Sequence, residues 1–339
     1  MSLPQPSPKP LNRSATGQDS RDTVLVISGS DPTAAAVMAE LSHHPVEAVL
    51  IDIGDFPAHQ TLVAESMSSG AWAGTLRGAG VAVDLRRVRS VYYRRPTRFS
   101  IVDEVSTSDA VLAEYEARLG LGGVLAALDC PWICDPHATA RAEYKPLQLT
   151  ALCEAGLAVP RTLITNDYEA AVEWAGRLDR PIVCKQMSPV ALTEDDQVRI
   201  TYTTPVDLAE IDPATLAVTA HCLQEQITDK LFEARVTMIG HEAYGVAIHA
   251  DSAPAALDWR RDYAHLRYQP FDPPTDLLTG MRQYLHAMNL RYGCFDLVAT
   301  PRGFLVYECN PAGQYLWLEH ATGLPISAAI ATHLVEAAA

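Results

Sequence analysis

The sequence predicts a mixed α/β (α+β) protein of several packed units, from three observations: a strand–turn–helix–strand opening, closely spaced strands further on, and a chain too long for one core. At 339 residues it exceeds a typical single core and has room for two or three. Its 48% hydrophobic and 20% charged residues are those of a globular protein, which excludes a disordered or fibrous chain.

The first 21 residues are rich in Pro, Ser and polar groups, lack a hydrophobic period, and are expected to be mobile. Folding begins at Thr23. Val24 to Ile27 is an apolar, β-branched run, Ser28-Gly29-Ser30-Asp31-Pro32 a turn, Ala34 to Leu41 a helix, and Val49 to Ile53 the next strand. No Gly-x-Gly-x-x-Gly accompanies this βαβ unit, so its turn reads as structural. Thr61 to Glu65 and Trp72 to Arg77 alternate like strands, Ser90 to Tyr93 is a strand entering Arg94-Arg95-Pro96, and a helix over Ser108 to Ala127 closes the first unit.

Asp135 to Gly156 reads as a second helical stretch with Lys145 near its middle. Thr162 to Ile164 and Pro181 to Lys185 are expected strands flanking a helix over Tyr168 to Leu178. Ala217 to Ile227, Phe232 to Ile239 and Ala243 to Ala250 follow as strands, the last two joined at Gly240-His241-Glu242. A long helix over Pro274 to Leu290 precedes the final motif.

Composition excludes several functions. A net charge of −15 (26 basic against 41 acidic residues) argues against broad phosphate-backbone binding, so no nucleic-acid partner is expected. No run reaches the roughly 18 to 20 apolar residues of a membrane span, and the N-terminus lacks a secretory apolar core, which predicts a cytoplasmic protein without a membrane partner. The seven cysteines form no C-x-x-C pair and read as reduced packing residues, Cys309 included. The histidines show neither H-x-x-x-H nor H-E-x-x-H spacing, and there is no Gly-x-Ser-x-Gly elbow and no Walker lysine loop.

The strongest constellation is a C-terminal hairpin. Gly293 to Thr300 and Phe304 to Asn310 are strand-like and separated by Pro301-Arg302-Gly303, which suits a three-residue loop. If Thr300 faces Phe304, Asp296 lies opposite Glu308, and Asn310 shares their face. The other face would carry Phe295, Leu297, Leu305, Tyr307 and Cys309. Two opposed carboxylates repel unless something positive lies between them, and an Asp/Glu/Asn set suits a hard divalent cation. A solvated acidic face is the plain alternative for such a pair.

Asp296, Glu308 and Asn310, followed by Pro311-Ala312-Gly313-Gln314, resemble the metal-binding end of ATP-grasp enzymes, where these residue types hold two Mg²⁺ ions against ATP. The resemblance implies an ATP-grasp fold behind a Rossmann-like pre-ATP-grasp domain. It divides the chain into a tail 1–21, that domain 22–134, a central subdomain 135–222 and a C-terminal, metal-bearing subdomain 223–339. It also implies phosphate-facing lysines, for which Lys145 and Lys185 match in order and spacing, and an adenine and ribose hinge at Gln224, Glu225, Gln226 and Ile227. Lys230, Glu233 and Arg235 resemble the family's Lys-Asp-x-Arg stretch, on the polar face of an alternating strand. One departure is the loop Met187 to Gln197, which contains no glycine and is acidic at Glu194, Asp195 and Asp196.

Val91-Tyr92-Tyr93-Arg94-Arg95-Pro96, Ala142-Glu143-Tyr144-Lys145-Pro146-Leu147-Gln148 and Glu308 to Trp317 are similar to graspetide synthetases, the microviridin-type ATP-grasp peptide maturases, nearest their actinobacterial branch. That resemblance implies ATP-dependent phosphorylation of Asp or Glu side chains in a ribosomally made precursor. Its partner would be a peptide with a leader and a Thr/Glu/Asp-rich core, closed by ester or amide crosslinks, and a homo-oligomer is among the implied assemblies. Arg235 and Arg260 are the expected catalytic cations, and Arg94 and Arg95 the expected binders of core-peptide carboxylates. A ligase for a free amino acid or small carboxylate, and a silent ATP- or peptide-binding scaffold, are the alternatives.

Overall fold

The computed structural model describes residues 21–187 and 202–336, together with the backbone of 192–194 and 197–199 between them. The N-terminal tail and most of the acidic loop at 194–196 lie outside the described residues.

The first sheet is parallel, in the order Glu47–Ile51, Thr23–Ser28, Val88–Arg94, Trp132–Ile133. Val24 to Ile27 are fully buried, as a near-continuous apolar run demands of a parallel strand covered on both faces. Asp31 caps the helix Pro32–Leu41, its carboxylate accepting from the Thr33 and Ala34 amides, with Pro32 in the first turn. An antiparallel three-stranded sheet, Gln60–Ser66, Trp72–Gly78 and Val81–Asp84, adds to this unit. The helix Thr107–Ala126 packs through Ala117, Leu121, Val124 and Leu125.

Asp135 to Gly156 is two helices, not one. Pro136–Ala142 and Lys145–Glu154 are broken at Glu143-Tyr144, so Lys145 opens a helix instead of lying inside one. Pro146 explains the break: its ring disfavours helical backbone just before it and suits a helix's first turn. Both helices pack against the last sheet through Ala138, Ala142, Ala151 and Leu152, although the sequence groups them with the central subdomain.

The central sheet is antiparallel, ordered Thr204–Val206, Ile182–Lys185, His221–Glu225, Thr162–Thr165, with the helix Tyr168–Ala175 on one side. The strand expected from Ala217 is shorter, because Asp212 caps a helical turn at Pro213–Leu216 just before it.

The last sheet has five antiparallel strands: Leu266–Phe271, Glu242–Ala250, Phe232–Ile239, Tyr292–Thr300 and Gly303–Asn310. The helix Thr275–Ala287 covers one face through Leu277, Gly280, Met281, Tyr284 and Leu285, spaced at three and four residues. Gly280 permits this approach, since a Cβ there would lie 2.6 Å from Leu157 Cδ2. The final helix, Ile326–Glu336, returns to the first domain, and its Ile330 and Leu334 share a core with Val24, Tyr92, Ile239 and Tyr292.

Candidate active site

The last hairpin places its carboxylates by a route that differs from the expected one. Thr300 pairs with Gly303, leaving Pro301-Arg302 as a two-residue loop, one step out of the anticipated register. A bulge then restores the count, because Leu297 pairs with Val306 and Asp296 with Glu308, leaving Tyr307 unpaired. Asn310 pairs with Cys294. The bulge also turns Tyr307 into the cleft beside Glu308, where the alternating pattern had put it on the core face; the Lys185 ammonium sits 4.5 Å from its ring centre.

Arg235 is in register with Asp296 on the neighbouring strand, so Arg235, Asp296 and Glu308 form one row across three strands. The Arg235 guanidinium donates twice to the Asp296 carboxylate, at 2.7 and 2.8 Å, and once to the Gln314 carbonyl at 2.8 Å. The Asn310 amide donates to Asp296 at 3.0 Å and to Glu308 at 3.4 Å. Asp296, Glu308 and Asn310 are thus one cluster. Two carboxylates and an amide fit Mg²⁺, which takes one or two protein carboxylates and completes its shell with phosphate and water oxygens. Among the described residues no third Asp, Glu, His or Cys joins them.

Lys145 reaches the same cluster from its helix start and pairs with Glu308. One turn on, the buried Gln148 acts as a surrogate strand for Cys309, accepting from its N–H at 3.0 Å and donating to its carbonyl at 2.8 Å. Sequence reasoning passed over Gln148, although its place three residues after Lys145 puts both on one helical face. Lys185 enters from the central sheet. Desolvation, with Lys145 and Arg260 nearby, lowers its pKa to about 8, and burial likewise lowers that of Lys145.

Gln224, Glu225, Gln226 and Ile227 line a cleft together with Val183, Lys185, Leu297 and Tyr307. The Glu225 carboxylate accepts from the Arg161 amide at 2.9 Å, and Gln224 donates to Thr162 Oγ1 at 3.0 Å. Lys230 and Glu233 form an ion pair on the same wall, and burial raises the Glu233 pKa. Arg260 lies at the mouth, donating two hydrogen bonds to the buried Asp258 carboxylate at 2.9 and 3.0 Å. Its neighbour Trp259 stacks on Trp317 at 5.1 Å, an aromatic wall not foreseen from sequence.

This cleft continues into a wider one of about 850 Å³, bordered by Arg95, Lys145, Arg235, Arg260, Tyr263 and Trp317. Arg95 is exposed there, with a left-handed backbone at φ 49°. Arg94 is not: its side chain is wholly buried, 3.7 Å from Asp31, and it donates to the carbonyls of Ala312 and Gly313. The expectation that both arginines meet substrate is corrected, because residues 94 and 95 leave the strand in opposite directions.

A hairpin whose two carboxylates and amide face two lysines, one from a separate small sheet, is the arrangement expected of an ATP-grasp ligase, and comparison with known proteins agrees. The family model of the MvdD pre-ATP-grasp domain matches residues 23–141. A RiPP-associated ATP-grasp ligase from Chryseobacterium gregarium, solved with ADP and a leader and core peptide, is 25% identical over 92% of this chain and 96% of its own, with a TM-score of 0.84. The macrocyclase MdnC from Microcystis aeruginosa, bound to the precursor peptide MdnA, is 28% identical over 92% and 99%, with a TM-score of 0.78. The ligase PsnB, complexed with a minimal precursor, Mg and ADP, shares the fold at 21% identity over 94% and 98%, with a TM-score of 0.73. No curated protein matches in sequence. In fold over nearly the whole chain, and in sequence over its first domain, this chain is similar to these peptide-modifying ATP-grasp ligases.

Proposed function

We propose that this chain uses Mg·ATP to phosphorylate Asp or Glu side chains of a ribosomally made precursor peptide and closes intramolecular ester or amide crosslinks. The carrying observation is the row Arg235–Asp296–Glu308, joined by Asn310 and faced by Lys145 and Lys185, at the junction of the cleft lined by Gln224 to Ile227 and a much wider one. The width of the second space favours a peptide over a free amino acid.

In this reading Gln224 to Ile227, Lys230 and Glu233 hold adenine and ribose, and Lys145 and Lys185 hold the phosphates. Asp296, Glu308 and Asn310 hold Mg²⁺, as two ions, which would screen the phosphate charge during transfer. A peptide carboxylate oxygen attacks the γ-phosphorus and ADP leaves. A Thr, Ser or Lys of the same peptide then attacks the acyl carbon, losing a proton, and inorganic phosphate departs. Each crosslink removes one water from the peptide. Arg235 and Arg260 neutralise developing charge, and Arg95 binds peptide carboxylates from the wide cleft. All seven cysteines are free, and no described helix is long and apolar enough to cross a membrane; we place the protein in the cytoplasm, where ATP is supplied.

The helix Thr107–Ala126 supports a homo-oligomer. Val111, Leu112, Tyr115 and Leu119 are more than half exposed on the side away from its own sheet.

The test is to incubate the chain with Mg·ATP and candidate precursor peptides, following ADP release and peptide mass together. The proposal expects ADP formation matched by loss of one water mass per crosslink. ADP release with free amino acids and no peptide dehydration would replace it with the small-carboxylate ligase.

A further inference from the structure

Arg94 is a cation without exposed side-chain surface, in a place where a metal-side role is not evident from sequence. Holding a charge there is expensive unless it is fully engaged. Yet its Nε and Nη2 have no hydrogen-bond partner, and Nε lies 3.7 Å from the Asp31 carboxylate. Its one strong engagement is with the loop after Asn310: Nη1 donates to the Ala312 carbonyl at 2.5 Å and to that of Gly313 at 3.3 Å.

That loop is gripped from both domains. Tyr292 donates to the Gly313 carbonyl at 2.7 Å, and Arg235 to that of Gln314 at 2.8 Å. From the first domain, Thr33 donates to the Gln314 side-chain oxygen at 2.8 Å. Three consecutive carbonyls are therefore each fixed by a donor. The Gly313 amide closes the turn onto the Asn310 carbonyl at 3.1 Å, so the loop sets where Asn310 points. The arginine that holds Gln314 also holds both oxygens of Asp296.

We propose that Arg94, supported by Asp31 and Thr33, is a positioning residue through which the first domain sets the metal end of the hairpin. It acts by way of the 311–314 loop, on Asn310 directly and on Asp296 through Gln314 and Arg235. The inference rests on the nucleotide and metal reading above, and it assigns the first domain a part in metal binding without any contact to metal.

The experiment measures Mn²⁺ binding by electron paramagnetic resonance titration in saturating ADP, on full-length wild type, Arg94→Lys, Arg94→Met and Thr33→Val, with thermal melts of each. Outer-sphere supports of metal ligands typically tune affinity by about 10-fold or more. We expect Arg94→Met to weaken Mn²⁺ binding on the order of 10-fold, and Arg94→Lys by less, since it keeps the charge and loses the fork. Thr33→Val should shift it in the same direction, with ADP binding in the absence of metal unchanged in all three. Wild-type Mn²⁺ affinity in Arg94→Lys and Thr33→Val, with wild-type melts, would overturn the proposal even if Arg94→Met fails to fold. Absence of Mn²⁺ and ADP binding by the wild type would instead remove the nucleotide reading beneath it.

Discussion

Lys185 carries the clearest protonation signal in the cleft. Desolvation and two neighbouring cations bring its pKa to about 8, so near pH 8 a substantial fraction is neutral before nucleotide arrives. A triphosphate beside it would favour the charged form. Nucleotide binding between about pH 8 and 10 should therefore take up a proton, and affinity should fall as pH rises through 8. Calorimetry in two buffers of different ionisation enthalpy reads this directly, and Lys185→Met should abolish the uptake. The sign for ligand-free stability is the reverse. Across the window from about 8 to the ordinary lysine value the unfolded chain binds more protons at this position, so the Lys185 contribution to stability rises with pH.

The paired carboxylates were readable because side chains alternate along strands, and a two-carboxylate row is what a hairpin of these runs would present. Tyr307 and Arg94 were not readable from the same pattern. A bulge is a local choice between two nearly equal registers, and it moved Tyr307 across the ribbon. Arg94 and Arg95 are adjacent in sequence, and only the tertiary partners Asp31 and Ala312 decide that one faces inward. Lys145 is an intermediate case, since Pro146 marked the helix start that periodicity alone ran through.

At the scale of elements, the first prediction concerns the joint between the helix Lys145–Glu154 and the last strand. Gln148→Leu would leave the N–H and C=O of the buried Cys309 without their side-chain partners. It should lower unfolding free energy by about 2 kcal/mol, measured by urea titration, and weaken the Lys145–Glu308 contact. The second concerns the turn after Asn310. A Cβ on Gly313 would stand 2.5 Å from Cys294 Cβ, 2.7 Å from Cys294 Sγ and 3.1 Å from Asn310 Cβ. Gly313→Ala should cost roughly 1 to 3 kcal/mol and reduce ADP formation by displacing Asn310. An unchanged rate in a folded Gly313→Ala variant would show that Asn310 does not need this turn.

At the scale of the whole molecule, the architecture was legible as a succession of strands and helices, whereas their grouping was less so. Residues 135–156 follow the first domain in sequence but pack on the last sheet, and the final helix crosses back to the first domain. Periodicity reveals that a helix has an apolar face and is silent on which sheet that face will meet. The helix Thr107–Ala126 shows the same gap, with its second apolar side open. Leu119→Glu should convert a self-associated wild type to a smaller species in sedimentation velocity, without altering the melt; identical sedimentation of the two would remove this surface from consideration.

The central claim is that a peptide carboxylate is activated by phosphoryl transfer beside Asp296, Glu308, Lys145 and Lys185. Its most direct measurement uses a precursor peptide whose acidic side chains carry ¹⁸O in both carboxylate oxygens. The acyl phosphate route predicts ¹⁸O in the released inorganic phosphate, one labelled phosphate per crosslink formed. Crosslinked peptide accompanied by unlabelled phosphate would contradict it.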